Sequence, residues 1–204
     1  MSGDVHAGFC ERREVRSLPA THLVVACRSE AQARAARQLA SEVLASLGLE
    51  LHPEKTRLVD LREGREGFDF LGCHFRARVS GRLLERGKRR YYLQRWPSQR
   101  AMKRIRARIK TLTGRGRAGT DIRDVIVAIN PILRGWGNYF RTGNAHSKFV
   151  QIDGYVRQRL CGLMRKRHGR NLKPGQPLVW TREWFEAHGL YRLRGTIRYP
   201  GLAS

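Results

Sequence analysis

The segment SQRAMKRIRARIKTL, residues 98–112, determines how the second half of the chain folds. Its apolar residues recur at steps of three and four, which predicts a helix with one apolar face. They are Met102, Ile105, Ile109 and Leu112. A preceding serine, Ser98, is suited to cap the first turn, and Gly114 is suited to end the helix. The other positions are mostly basic: Arg100, Lys103, Arg104, Arg106, Arg108 and Lys110.

Two more amphipathic helices follow. The second begins near Thr120 or Asp121 and keeps its apolar stripe as far as Phe140, across Pro131, which we expect to kink or break it. The third begins after Asn144 and has its apolar stripe on one face up to Leu163. Residues 98–195 therefore predict an all-α domain of three helices, followed by a tail at residues 196–204.

A smaller α+β unit precedes these helices. Residues 23–27 are wholly apolar and predict a buried strand, and Ser29 with Gln32 forms a capping-box pattern for a helix that ends at Gly48. Further strands are predicted at residues 49–51, 55–61 and 68–75. The inward stripe of the helix should comprise Ala36, Leu39, Ala40, Val43, Leu44 and Leu47. The predicted fold class is thus α+β.

Two segments carry weaker signals. Residues 1–22 mix Gly, His, Asp, Arg and Pro without periodicity, so we expect them to be poorly structured. Residues 81–97 are predicted to form a basic hairpin or linker that turns near Gly87.

The net charge of +24, from 41 basic and 17 acidic residues, is concentrated in the middle of the chain. Between residues 76 and 117 there are sixteen Lys or Arg and one acid, Glu85. A solvated face is the usual explanation of a charged run, but so large a surplus favours a nucleic-acid partner. Arginine predominates, which favours bidentate phosphate contacts and stacking on bases.

The cysteine spacing and the lack of long apolar runs exclude several classes of protein. The four cysteines, Cys10, Cys27, Cys73 and Cys161, are too scattered for a zinc ribbon or a disulfide framework. No apolar run has membrane-spanning length, and the first residues lack the apolar core of a signal peptide. We expect a soluble, cytoplasmic protein.

The candidate RNA contacts combine cations on the three helices with aromatic residues interleaved among them. Aromatic rings can stack on unpaired bases, although core packing is the alternative for Trp136. The set comprises Arg89, Arg90, Tyr91, Arg100, Lys103, Arg104, Arg106, Arg108, Lys110, Arg134, Trp136, Tyr139, Arg141, Lys148, Arg157, Arg165 and Lys166.

Three sequence blocks carry a family resemblance. LELHPEKT, residues 49–56, is similar to a palm motif that usually reads Leu-Asn-Pro-Glu-Lys-Thr, with His52 in place of Asn. FDFLGCHF, residues 68–75, resembles the Phe-Leu-Gly block that ends the palm and helps to hold a primer. Residues 96–140, which include RGWGNYF at 134–140, resemble the maturase-specific thumb, or X, domain. Residues 23–195 thus resemble the C-terminal half of a group II intron reverse transcriptase/maturase.

The resemblance implies a truncated palm remnant at residues 23–80 and the thumb domain at 98–195. It also implies primer-contact-like positions at Lys55, Phe70, Leu71 and Gly72. In the family, Tyr-Ala-Asp-Asp precedes the strand at 23–27, and its aspartates bind the catalytic metals. Here residues 19–22 read PATH, which cannot supply the two carboxylates that magnesium requires, and the fingers would lie before Met1. We expect no catalytic or metal-binding residues, and Mg²⁺ only with the RNA partner.

Three functional hypotheses follow. The first is an RNA-binding maturase that stabilises structured group II intron RNA, which itself supplies the chemistry of splicing. The second is a C-terminal fragment that completes a reverse transcriptase when a separate chain supplies the fingers and catalytic palm. The third is a decayed remnant without a function of its own, in which uncovered strand edges and apolar surface would lower stability.

Overall fold

A computed structural model describes residues 6–11, 22–53, 55–79 and 84–198. The chain divides into two units, residues 1–94 and 95–204. Strands predominate in the first and helices in the second, so the predicted α+β class is confirmed.

The first sheet contains β1 (His6–Glu11), β2 (His22–Cys27) and β3 (Arg57–Asp60) in the order β2-β1-β3, with both pairings antiparallel. The prediction of poor structure for residues 1–22 is wrong for residues 6–11, which form the middle strand. Hydrogen bonds on both sides come from segments distant in sequence, and a local pattern does not reveal them. The other residues of that segment, apart from His22, lie outside the described ranges.

The helix of the first unit, α1 (Glu30–Ser46), begins and ends as predicted. The Gln32 N–H donates to Ser29 Oγ at 3.3 Å, and Gln32 Oε1 accepts the Arg28 N–H at 3.0 Å. Gly48 has a φ of 67°, and the bonds at this end follow the Schellman pattern, in which the last carbonyls accept from residues just past the helix. Both caps were therefore readable from local sequence.

The predicted inward stripe of α1 is correct for Ala36, Ala40 and Leu44, which are half-buried, and wrong for its other three residues. Leu39, Val43 and Leu47 are 61%, 54% and 67% exposed, whereas Ala33 is the residue that the helix buries. The apolar arc of α1 is wider than the surface that three strands can cover. An apolar face of the first unit therefore remains open to solvent.

The second sheet contains β4 (Gly67–Phe70), β5 (Cys73–Val79) and β6 (Tyr91–Pro97) in the order β4-β5-β6. The single strand predicted at residues 68–75 is wrong, because Leu71 and Gly72, with φ of 46° and 76°, turn the chain between β4 and β5. Positive φ at both central residues is the geometry of a tight hairpin turn. Residues 49–51 do not form their predicted strand.

The second unit is built on α2 (Gln99–Leu112), α3 (Ile122–Phe140) and α4 (His146–His168), which confirms the three predicted helices. Two short helices, α5 (Gln176–Val179) and α6 (Arg182–Ala187), follow them and were not predicted. The largest fully buried side chains of the unit are Met102, Ile105, Ile109, Val125, Ile126, Ile129, Leu133, Phe149, Ile152, Leu160, Phe185 and Leu193.

Pro131 does not break α3, which is continuous from Ile122 to Phe140. A proline removes the N–H that would bond to the carbonyl four residues earlier, here that of Val127. Val127 and Pro131 are both exposed, so water can satisfy this carbonyl, while buried Ile129 and Leu133 hold the opposite side. Within the described ranges, no helix combines the length and apolar character needed to cross a bilayer.

Candidate nucleic-acid interface

Helix α2 is positioned by its buried stripe and its cap. The Ala101 N–H donates to Ser98 Oγ at 3.2 Å, and Met102, Ile105 and Ile109 are buried. Burying three such side chains stabilises the packed helix by roughly 5–9 kcal/mol before entropic costs. The remaining circumference faces solvent. We call its five exposed cations the α2 cationic face: Arg100, Lys103, Arg104, Arg108 and Lys110.

No acid offsets the α2 cationic face from nearby in the sequence, because residues 86–120 contain neither Asp nor Glu. In the described part of the second unit, the one salt bridge found joins Arg192 to Glu186. Like charges four residues apart, such as Arg100 and Arg104, destabilise a helix by about 0.2–0.5 kcal/mol per pair. The helix therefore retains charges that oppose its own folding and that a polyanion would neutralise.

Arg106 and Arg159 connect α2 to α4 instead of extending this face. Half-buried Arg106 lies 5.9 Å from the ring centre of Tyr155. The Arg159 guanidinium donates to Thr113 Oγ1 at 2.9 Å and to the Thr113 carbonyl at 3.0 Å. Cations near the last carbonyls of a helix satisfy groups that have no partner inside it. Sequence reasoning missed this role of Arg159, because nothing local links it to Thr113.

The predicted cations of α4 do not all lie beside α2. Arg157 follows Tyr155 by two residues, about 200° around the helix, and therefore lies on the opposite flank. There it lines a small cavity together with Arg182 and Arg192. Lys148 is half-buried, and Arg165 and Lys166 are exposed near the end of α4.

The aromatic candidates on α3 differ in accessibility. Half-buried Trp136 packs against Phe140 and Phe149, with ring centres 4.9 and 5.4 Å apart. Its indole N–H is buried without an acceptor among the described residues, and its ring contacts are those of the packing alternative. Tyr139 is 56% exposed and meets Phe140 edge-on.

Two arginines are the remaining candidate RNA contacts on or next to α3. Exposed Arg134 lies over the ring of Tyr191 at 5.0 Å, a cation–π contact. Arg141, half-buried, follows the end of the helix, and its carbonyl accepts the Arg198 N–H at 2.8 Å. Both therefore lie beside the C-terminal segment of the chain.

Residues 102–182 match the family described as group II intron, maturase-specific domain. These residues form a group II intron maturase-specific domain. The predicted resemblance is confirmed for this part of the chain. No curated protein matches the chain.

The maturase-specific domain extends from the first turns of α2 to the first residue of α6. It thus contains four of the five residues of the α2 cationic face, all except Arg100, and the RGWGNYF segment at residues 134–140. The domain match ends before residues 189–198, which we call the C-terminal strap because they lie across α3 and α4. The side chain of Asn130 accepts the Tyr191 N–H and donates to the Gly189 carbonyl, both at 2.8 Å.

Asp153 attaches the strap to α4 of the maturase-specific domain. Its carboxylate accepts the Leu193 N–H at 3.1 Å and the Arg194 N–H at 2.9 Å. Burial raises the pKa of Asp153 above its usual value, although the two N–H bonds, with Arg182 and Arg192, act in the opposite direction. No local sequence pattern indicates this contact, because an Asp within a helical apolar stripe is ambiguous without its partners.

The structure also describes the candidate residues that lie outside the maturase-specific domain. Arg89 and Arg90 are exposed, and Tyr91 is half-buried at the start of β6. Of the primer-contact-like positions, Leu71 and Gly72 are exposed in the turn between β4 and β5, while Phe70 and Lys55 are half-buried.

The described residues contain no group of three or more His, Cys, Asp or Glu side chains able to hold a metal ion. Residues 19–21, which belong to the PATH segment expected at the position of the family's metal-binding motif, lie outside the described ranges. Asp69, the acid of the Phe-Leu-Gly block, lies 2.6 Å from His74 Nδ1 across the β4–β5 pair. This contact of Asp69 is thus a hydrogen bond to a neighbouring histidine at the surface.

Proposed function

We propose that this chain is an RNA-binding protein of the group II intron maturase type, which stabilises folded intron RNA while the RNA performs the chemistry of splicing. The observation that carries the proposal is the α2 cationic face, four of whose five residues lie inside a maturase-specific domain. Five exposed cations without a neighbouring acid are suited to bind the closely spaced phosphates of a folded RNA.

Affinity and selectivity would have different sources. Phosphate contacts from Arg and Lys supply affinity without regard to sequence. The major groove of an A-form helix is too deep and narrow for side chains, so selectivity depends on RNA shape and on unpaired bases. Tyr139 and Tyr91 remain the candidate stacking residues. Mg²⁺ would accompany the RNA and support its fold.

A salt titration tests the proposal. Binding of a structured group II intron RNA and of a random RNA of equal length is measured by filter binding between 50 and 200 mM salt. If six to ten phosphates are engaged, affinity should fall by about 10³–10⁵ over this range. The structured RNA should bind more tightly at every salt concentration. Equal affinities at moderate salt would reduce the activity to non-specific binding and contradict the proposal.

A second candidate function is supported by the open apolar face of the first unit. Leu23 and Val25 of β2 are 50% and 36% exposed, and they line a cleft with Ala36 and Ala40 of α1. In the described part of the first sheet, β2 is an edge strand. Contiguous apolar surface beside an uncharged edge strand favours a protein partner. That partner would be a chain supplying the fingers and catalytic palm of a reverse transcriptase.

Primer extension distinguishes the two candidates. The purified chain is assayed alone and with a chain that carries fingers and an Asp-Asp motif. Extension that requires both chains would establish the second function, whereas no extension in either reaction would contradict it. Extension by the isolated chain would contradict our inference that its metal-binding carboxylates are missing.

A further inference from the structure

The C-terminal strap is bonded to α3 and α4 although it lies beyond the matched domain. Asn130 binds its first residues, and Asp153 accepts two N–H groups from its middle. Leu193 is fully buried, and a Cβ built on Gly137 would lie 2.6 Å from Leu193 Cδ2. The strap is thus an integral part of the second unit, and the backbone positions of its exposed residues are defined.

Arg194 occupies the corner of a tight turn in the strap. The Thr196 N–H donates to the Leu193 carbonyl at 3.1 Å, and Gly195 supplies the positive φ, 93°, that the turn requires. The backbone of Arg194 is fixed by its N–H bond to Asp153, whereas its side chain is exposed. Fixing the backbone in advance lowers the entropic cost of binding a ligand through the guanidinium.

The strap arginines differ in how their charge is balanced. Arg192 pairs with Glu186 at 3.7 Å. Arg194 and Arg198 are exposed, and neither forms a salt bridge with any described residue. The carboxylate of Asp153, which accepts the Arg194 N–H, is buried and directs both oxygens to backbone N–H groups. Two cations of the strap therefore remain available to an anion.

The α3 arginines lie next to these two. Arg198 donates its backbone N–H to the Arg141 carbonyl, and Arg134 covers the ring of Tyr191, three residues before Arg194. We propose that Arg194 and Arg198, with Arg134 and Arg141, form a second binding site for the RNA phosphate backbone. This inference rests on the proposed RNA-binding function. The site lies beside α3 and the strap, whereas the first is on α2, so RNA would contact the second unit at two separate places.

Neutralising the strap arginines tests the proposal. Each phosphate contact contributes a slope of about 0.7–0.9 in log affinity against log salt, which corresponds to about five- to eightfold in affinity at 0.1 M salt. Arg194→Gln and Arg198→Gln together should lower affinity for the structured intron RNA by about 25- to 60-fold and reduce the slope by about 1.4–1.8. Arg192→Gln is the matched control, because Glu186 already balances its charge, and its loss should be smaller than that of either single variant.

Hydroxyl-radical footprinting shows whether the two sites are separate. The double strap variant should lose one group of protected nucleotides, and neutralising Arg100 and Arg104 of α2 should lose another. Wild-type affinity and slope in the double variant, with an unchanged melting temperature, would overturn the second site, as would loss of the same nucleotides in both variants. If the wild-type chain itself fails to prefer structured RNA, the proposed function fails first.

Discussion

Replacing Arg100, Arg104 and Arg108 with glutamine should change RNA affinity and stability in opposite directions. These three residues are exposed, lie four residues apart on one side of α2, and have no salt bridge among the described residues. If each contacts one phosphate, the slope of log affinity against log salt should fall by about 2.1–2.7. At 0.1 M salt this corresponds to a loss of about 125- to 500-fold in affinity.

The same variant should be more stable than the wild type. Two like-charge pairs at a spacing of four residues, Arg100 with Arg104 and Arg104 with Arg108, each destabilise the helix by about 0.2–0.5 kcal/mol. Glutamine has nearly the helix propensity of arginine, so the substitution introduces little new cost. The free energy of unfolding should therefore rise by about 0.4–1 kcal/mol at low salt. This gain should shrink as salt screens the repulsion.

Filter binding and urea unfolding measure the two effects. The matched control replaces Arg34, Arg62 and Arg65 with glutamine, which removes the same charge from arginines that already pair with Glu30 or Asp60. The control should lose far less affinity, and it should not gain stability. Equal losses of affinity in both variants would show that net charge alone attracts the RNA and would refute a specific role for α2. Lower stability in the α2 variant would show that its arginines have a structural role.

Three further predictions concern the folded chain. Gly137→Ala should lower the free energy of unfolding by about 1–3 kcal/mol. The reason is that its new methyl group would lie 2.6 Å from Leu193 Cδ2 and collide with it. A methyl group at Gly135, on the same helix, would have nothing within 4 Å, so Gly135→Ala should raise the free energy of unfolding by about 0.5–1 kcal/mol. Urea unfolding of both variants tests these two predictions. Burial raises the pKa of Asp153 above 3.8, so the stability of the wild type relative to Asp153→Asn should fall as the pH rises from about that value through the raised pKa. Unfolding curves at several pH values check this, and a constant difference would contradict it. Leu71→Asn should stabilise the chain by about 1 kcal/mol in thermal melts, because asparagine tolerates the φ of 46° better than leucine, and a lower melting temperature would argue that the leucine makes a needed contact.

Predictions from sequence succeeded where the determining interactions are local. Ser29 and Ser98 cap their helices through backbone groups three residues away, and Gly48 ends α1 through bonds within the same turn. The apolar stripe of α2 was equally readable, because a period of three and four residues fixes one face regardless of what covers it. These features required no knowledge of the partner element.

Predictions failed where an element depends on distant segments. The strand β1 exists through pairing with β2 and β3, and the exposed edge of α1 depends on how much sheet is present to cover it. The candidate site divides in the same way. Cations on one face of α2 were predictable from their spacing, whereas the inward role of Arg159 depends on Thr113, forty-six residues earlier. The strap arginines were overlooked because residues 189–198 lack a periodic pattern.

The distribution of acids supports an RNA face on α2 more strongly than the number of cations does. The acids of residues 95–204 are Asp121, Asp124, Asp153, Glu183 and Glu186. Asp153 and Glu186 line one cavity with Arg157, Arg182 and Arg192, so acids in this unit do accompany arginines at a place where the chain packs on itself. On α2 a single acid four residues from an arginine would reduce the repulsion between the arginines and add a favourable ion pair. Residues 86–120 contain none, so this helix meets its counter-charges outside the nearby sequence. A protein surface carries mixed charge, whereas RNA supplies closely spaced negative charge. RNA is therefore the partner that suits a basic helix whose positive charges have no acidic neighbours.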